Sequence, residues 1–156
     1  MAGGDLLRGL SFLVDGDMFA VDIALVQKVV RGITVTPVPA APDTIIGIAN
    51  MNGRVITLIN LYKLLRRRER RSLERAYKNV NTIVFKSFSG SEDQMGLVIN
   101  KTEALIEINE DEIRLSTMVA ETESVFCISG VIEVGNKICR LINIESIINM
   151  YKNNAE

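Results

Sequence analysis

The sequence predicts an all-β protein in which one small lobe is written twice. Three observations lead there. Two-residue turn signals punctuate short apolar runs; the remaining apolar segments are dense in Ile and Val; and the phrase LINLYKLL (58–65) returns 83 residues later as LINIESII (141–148). Short strands at close spacing with turn signals between them fit small barrels or a sandwich.

Taken in order, SFLV-DG-DMFAV (11–21) is a hairpin about Asp15-Gly16, IANM-NG-RVITLI (48–59) one about Asn52-Gly53, and VIEV-GN-KICRLI (131–142) one about Gly135-Asn136. NTIVFKSF (81–88), QMGLVI (94–99) and EALIEI (103–108) supply further strands. In each copy of the repeated phrase, Leu-Ile ends a strand and Asn60 or Asn143 stands where a helix begins. An Asn side chain there accepts hydrogen bonds from the free N–H groups of the first turn. Leu61, Leu64 and Leu65, and likewise Ile144, Ile147 and Ile148, fall at i, i+3 and i+4, so each strand runs into a short helix with one apolar face, at 60–66 and 143–151. The likeness extends upstream: GIANMNGRVITLIN (47–60) aligns without a gap on GVIEVGNKICRLIN (130–143), and FAVDI (19–23) more weakly on MGLVI (95–99). The phrase recurs because the lobe does.

A chain of 156 residues holds one domain or two very small lobes sharing a core. Hydrophobic residues make up 47 %, aromatics only 5 %, and Trp is absent, which predicts an aliphatic core. No apolar run approaches the roughly 18 residues of a membrane span. The start, MAGGDLLRGL, lacks the basic-then-apolar order of a secretory signal, so the expected location is cytoplasmic. A net charge of −1 gives no general attraction to nucleic acid or anionic lipid. Histidine is absent, which removes the usual general base near neutral pH and the commonest zinc ligand. With Gly135-Asn136 as a two-residue turn, Cys139 faces Ile132 while Cys127 lies near position 144. The two cysteines therefore read as separate core thiols, neither a disulfide nor a metal or redox site.

Several segments invite chemical readings that simpler ones displace. RRRERR (66–71) is read as a solvated helix end and linker, because no aromatic ladder accompanies it; docking on an acidic protein surface is the alternative. The carboxylates Glu107, Glu110, Asp111 and Glu112 are read as Asn109 capping a one-turn helix with acids in its first turn. Gly47 and Gly53 lack the spacing of a phosphate loop: Gly53 belongs to a type I′ turn, and Gly47 marks a bulge or a close backbone approach. Pro37, Pro39 and Pro42 make TPVPAAPD a stiff connector. Nothing calls for a cofactor or metal, and no residues of catalytic type converge.

From about Leu10 to Met150 the chain resembles the CheW-like domain of bacterial chemotaxis, chiefly in FLVDGDMFAVDIALVQKVV…TPVPAAP…IIGIANMNGRVITLINLYKLL. The resemblance implies two packed five-stranded SH3-like β-barrels within 10–152, behind a tail at 1–9. The approximate lobes are 18–79 and 80–143, with terminal segments able to cross between them. It further implies a non-enzymatic, cytoplasmic adaptor recruited to membrane-bound receptor arrays. Such an adaptor bridges the hairpin tip of a chemoreceptor to the regulatory domain of a CheA-type histidine kinase, without nucleic acid or membrane insertion. Carried over by residue, the receptor-facing groove comprises Val26, Gln27, Lys28, Val29, Asn50, Asn52 and Gly53, and the kinase-facing positions are Thr102, Met118 and Val119. Position 28 is usually acidic in the family, position 52 usually arginine and position 57 often proline; here they are Lys28, Asn52 and Thr57. A divergent adaptor for a non-chemotactic kinase system is the alternative on the same fold. A small-barrel nucleic-acid binder using Arg66–Arg71 is the alternative of another class.

Overall fold

Tight turns fix the register of the hairpins. Asp15 and Gly16 have φ of 51° and 89°, and Asn52 and Gly53 have 54° and 83°. Positive φ at both central residues is the type I′ pattern, which Asn, Asp and Gly enter most readily. Gly135, at 60°, is alone positive in its turn, as in type II′. The structure is a computed structural model that describes residues 6–65, 80–87, 94–114 and 127–153. Its strands are β1 (Leu6–Val14), β2 (Asp17–Asp22), β3 (Val26–Ile33), β4 (Ile45–Met51), β5 (Arg54–Ile59), β6 (Val80–Phe85), β7 (Gln94–Ile99), β8 (Lys101–Asn109), β9 (Ile128–Val134) and β10 (Lys137–Ile142). Helix α1 (Leu61–Leu64) follows β5, and α2 (Ile144–Asn153) follows β10.

Both helices start on the expected caps: the Lys63 N–H donates to Asn60 Oδ1 at 3.2 Å and the Ser146 N–H to Asn143 Oδ1 at 3.1 Å. Asn109 caps a 3₁₀ turn at Glu110–Glu112 in the same way, accepting from the Asp111 N–H at 3.0 Å. Helix α2 runs to Asn153, two residues past the expected end, whereas position 66, the expected end of α1, lies outside the described residues along with Arg66–Arg71. The tail is shorter than expected, because β1 begins at Leu6 and Gly9 already pairs with Asp22.

The strands form two five-stranded sheets, ordered β8-β1-β2-β10-β9 and β3-β6-β7-β5-β4. The pairs β1–β2, β9–β10, β3–β6, β4–β5 and β6–β7 are antiparallel, whereas two pairs are parallel. β10 runs parallel to β2, with Arg140 opposite Phe19, and β5 runs parallel to β7, with Thr57 opposite Met95. These registers match the sequence repeat residue for residue, since Thr57 and Arg140 are 83 apart and Phe19 and Met95 are the aligned pair of the weaker match. The duplication is real, but the units do not follow it in order. Residues 26–101 make one compact unit, and 1–25 with 102–156 make the other. The lobes drawn at 18–79 and 80–143 are thus redrawn. β1 and β2 of the first repeat pair with β8, β9 and β10 of the second, while β6 and β7 of the second pair with β3, β4 and β5 of the first.

Each unit has its own core. Ile33, Val35, Ile46, Ile56, Leu58, Val80, Val84 and Val98 fill that of 26–101; Ala20, Ile108, Ile132, Cys139 and Leu141 cluster in the other. Phe12 and Phe19, opposite each other on β1 and β2 and fully buried, stack with centroids 5.8 Å apart. Ser11 is buried and ties β1 to β8: its Oγ donates to Ala104 O at 2.9 Å and accepts from the Ala104 N–H at 3.0 Å.

A further pairing joins the end strands in each unit. Thr36, beyond β3, exchanges backbone hydrogen bonds of 2.8 Å with Ile48, and Arg114, beyond β8, exchanges bonds of 2.9 Å with Val131. The proline-rich connector therefore contributes one ladder rung. The residue before each receiving position is glycine, Gly47 or Gly130. A Cβ on Gly47 would strike the Thr36 carbonyl oxygen and lie 2.7 Å from Val35 Cγ1; one on Gly130 would strike Ile113 Cγ2 and lie 3.1 Å from Arg114 O. Gly53 differs, with open space around it but φ at +83°. Gly47→Ala and Gly130→Ala are each expected to cost about 2–4 kcal/mol, because the Thr36 backbone or the β-branched Ile113 side chain has to move. Gly53→Ala is expected to cost about 1 kcal/mol, for the left-handed backbone alone. Urea denaturation of the three variants measures the order, and Gly53→Ala proving the most damaging would refute the role of glycine in joining the end strands.

Candidate functional site

The groove residues implied by the resemblance lie far apart in sequence, yet register brings them to one end of the 26–101 unit. Val26 faces Phe85 across β3 and β6, Val84 faces Gly96 across β6 and β7, and Gln94 faces Ile56 across β7 and β5. The start of β3, the end of β6, the start of β7 and the start of β5, with its turn at Asn52-Gly53, therefore share this end. Val26 and Lys28 are half-buried; Gln27, Val29, Asn50, Asn52 and Gly53 are exposed. Asn50 and Asn52 have structural duties as well: the Gly53 N–H donates to Asn50 Oδ1 at 3.1 Å, and Asn52 takes the left-handed φ that the turn requires.

One member of this site was not foreseen. Gln94, 5 % exposed, heads β7 and donates through Nε2 both to the Phe85 carbonyl at 3.2 Å and to Gln27 Oε1. The available signal was a lone amide opening the apolar run QMGLVI, which alternation alone assigns to no face.

Thr102 lies in the other unit, half-buried near the start of β8. Met118 and Val119 lie outside the described residues. The pairings align the two units closely: Ser11 holds the same place as Val84, each one rung along from the Phe19 or Met95 rung on the neighbouring strand. Ser11 holds the Ala104 backbone through its side chain and Val84 faces Lys28; setting Ala104 on Lys28 sets Thr102 on Val26. The same correspondence sets Leu105 on Val29, and the 83-residue offset sets Ile138 on Val55. These are four of the six large apolar side chains most exposed among the described residues, at 62 %, 40 %, 38 % and 51 % respectively. Each unit thus shows a matched aliphatic pair. The flanking residues differ: Gln27, Lys28 and Asn50 on one unit correspond to Glu103, Ala104 and Glu133 on the other.

Asp111, Glu112, Arg114 and Glu133 line an open cleft of about 390 Å³, and among the described residues no three potential metal ligands converge. Among the described residues no helix is long and apolar enough to cross a membrane. Cys127 and Cys139 are buried and unlinked, and burial pushes both thiols from 9.0 up to about 12. A thiol held neutral is a poor nucleophile.

The cysteines give a pH prediction with a definite sign. Because their folded pKa is raised, the stability they contribute is fully present below pH 9 and is lost as pH climbs from 9.0 toward about 12. The loss is on the order of 1 kcal/mol per pH unit per thiol. Denaturant midpoints taken at about pH 8 and about pH 10.5 should fall more steeply for the native chain than for a Cys127→Ala/Cys139→Ala variant. Equal slopes would show that these thiols do not couple to folding.

Comparison with known proteins follows the fold. A family profile described as CheW-like domain matches residues 8–152. A Treponema pallidum (strain Nichols) chemotaxis protein CheW is 24 % identical over 138 residues, covering 88 % of this chain and 79 % of that protein. The Thermotoga maritima chemotaxis protein CheW is 36 % identical over 56 residues, 36 % of this chain and 37 % of that one. Among solved structures, the scaffolding protein TtCheW from Thermoanaerobacter tengcongensis superposes with a TM-score of 0.72 at 22 % identity, covering 89 % of this chain and 90 % of that chain.

Proposed function

The chain belongs to the CheW-like domain family, and from that premise we propose that it is a non-enzymatic, cytoplasmic adaptor coupling a chemoreceptor to a CheA-type histidine kinase within membrane-bound receptor arrays. The observation that carries the reading is that the two units expose aliphatic side chains at matching positions of the repeat. An adaptor needs two docking surfaces of similar size that do not compete for the same partner, and a duplicated fold supplies them. Val29 and Val55 are exposed on one unit and Leu105 and Ile138 on the other, among polar groups such as protein interfaces carry. The unequal borders give the two ends different partners. Val26, Gln27, Lys28, Val29, Asn50, Asn52 and Gly53 face the receptor hairpin tip in this reading. Thr102, with Met118 and Val119 beyond the described residues, faces the kinase regulatory domain.

Calorimetry with the two partner fragments tests it. Val26→Asp would bury an unpaired charge at the receptor end and should weaken the receptor fragment by about 2–5 kcal/mol while leaving kinase affinity unchanged. Loss of both together, in a protein still folded by circular dichroism, would refute two separate docking ends.

A further inference from the structure

The polar groups at the receptor-facing end are held as donors, and Gln94 is the reason for the one at Gln27. A backbone carbonyl can only accept, so Phe85 O requires the amide nitrogen of Gln94, not its oxygen, at this corner. That same nitrogen meets Gln27, which must answer with Oε1. Gln27 is exposed, so its own Nε2, with two N–H groups, is the end left for a partner. Lys28 beside it can only donate, as can Arg54, exposed at the Asn52-Gly53 turn. Asn50 commits its oxygen to the Gly53 N–H, which leaves its Nδ2 as a donor too.

Charge points the same way. Residues 26–101 carry 13 Lys and Arg against 5 Asp and Glu, a net of +8, while 1–25 with 102–156 carry 5 against 14, a net of −9. The chain's −1 conceals this segregation. The +8 includes Glu92 and Asp93, which precede β7, and +5 of it comes from 66–78, outside the described residues. We propose that Gln94 is a positioning residue that holds the Gln27 carboxamide as an outward donor, so that the start of β3 recognises a carboxylate on its protein partner. The inference rests on the reading of this end as receptor-facing and names what that receptor must offer. A protein carboxylate fits better than a nucleic-acid phosphate. The exposed apolar groups neighbouring Lys28 and Arg54 in the chain are the aliphatic Val29 and Val55 and not stacking aromatics, and the chain as a whole, at −1, offers an extended polyanion no general attraction.

The test joins side-chain NMR on the full chain with a binding cycle. In the native protein the Gln27 side-chain amide should be ordered and should shift on titration with poly-L-glutamate; in Gln94→Leu it should average like a free glutamine and shift little. With a chemoreceptor hairpin fragment, Gln27→Ala and Gln94→Leu should each lower affinity about tenfold, and the double variant no further than either. Gln94 affects binding through Gln27 if that cycle holds. Additive losses would make Gln94 merely structural and overturn the proposal, as would an unchanged Gln27 amide in Gln94→Leu. A larger shift with duplex DNA than with poly-L-glutamate would overturn the carboxylate assignment. Failure of the native protein to bind any receptor fragment would count against the receptor reading alone, since the NMR titration decides the Gln94 proposal without it.

Discussion

The contact on which both units depend is the approach of one backbone to another at Gly47 and Gly130. At each, the chain beyond an end strand passes so near that a single methyl would collide, with the Thr36 backbone at Gly47 and with the Ile113 side chain at Gly130. What the glycine permits is a pair of backbone hydrogen bonds, Thr36 with Ile48 or Arg114 with Val131, linking the two ends of the strand order. A five-stranded sheet with open edges exposes unpaired amides and carbonyls, and joining its ends by even one rung removes part of that liability. The cores are then filled mostly by Ile, Val and Leu, with Phe12, Phe19 and Phe85 as the largest fully buried side chains.

The second constraint is the parallel pairing of β10 with β2 and of β5 with β7. Hairpins form locally, but a parallel neighbour comes from elsewhere in the chain. In this protein it comes from the other repeat. The unit containing β1 and β2 is unfinished until β8, β9 and β10 have been made, so its folding joins the first residues of the chain to the last. Contacts of such long sequence separation carry a high loop-closure entropy before they return any stability. The unit at 26–101 is contiguous and bears no such burden.

These two constraints account for what could be read in the sequence. Hairpins at Asp15-Gly16, Asn52-Gly53 and Gly135-Asn136, and caps at Asn60, Asn109 and Asn143, were all legible because each depends on residues within four positions of one another. The repeat was legible because duplication preserves order. The exchange of strand pairs between repeats was not, because parallel pairing leaves no local mark: QMGLVI reads the same whether it joins the strands before it or after it. Gln94 was missed for a related reason. Its role depends on Phe85 and Gln27, which a register of distant segments brings to it. Asn52 was half read: its turn was seen, but not that it would carry a left-handed φ of 54°.

Duplication also explains how one small fold comes to have two unlike surfaces. Core positions of the repeats remain interchangeable in kind, Leu58 with Leu141 and Ile56 with Cys139, since both must fill similar space. The exposed aliphatic positions have kept their character as well, Val29 with Leu105 and Val55 with Ile138. Divergence is concentrated at the borders, where Gln27 and Asn50 correspond to Glu103 and Glu133, and in the net charges of +8 and −9. Border residues are where a change costs least stability, since they are solvated on both sides of folding, and where it alters partner choice most, since a mismatched charge excludes one partner as surely as a matched one admits another. Apolar centres give each end something to bury; the borders decide against what.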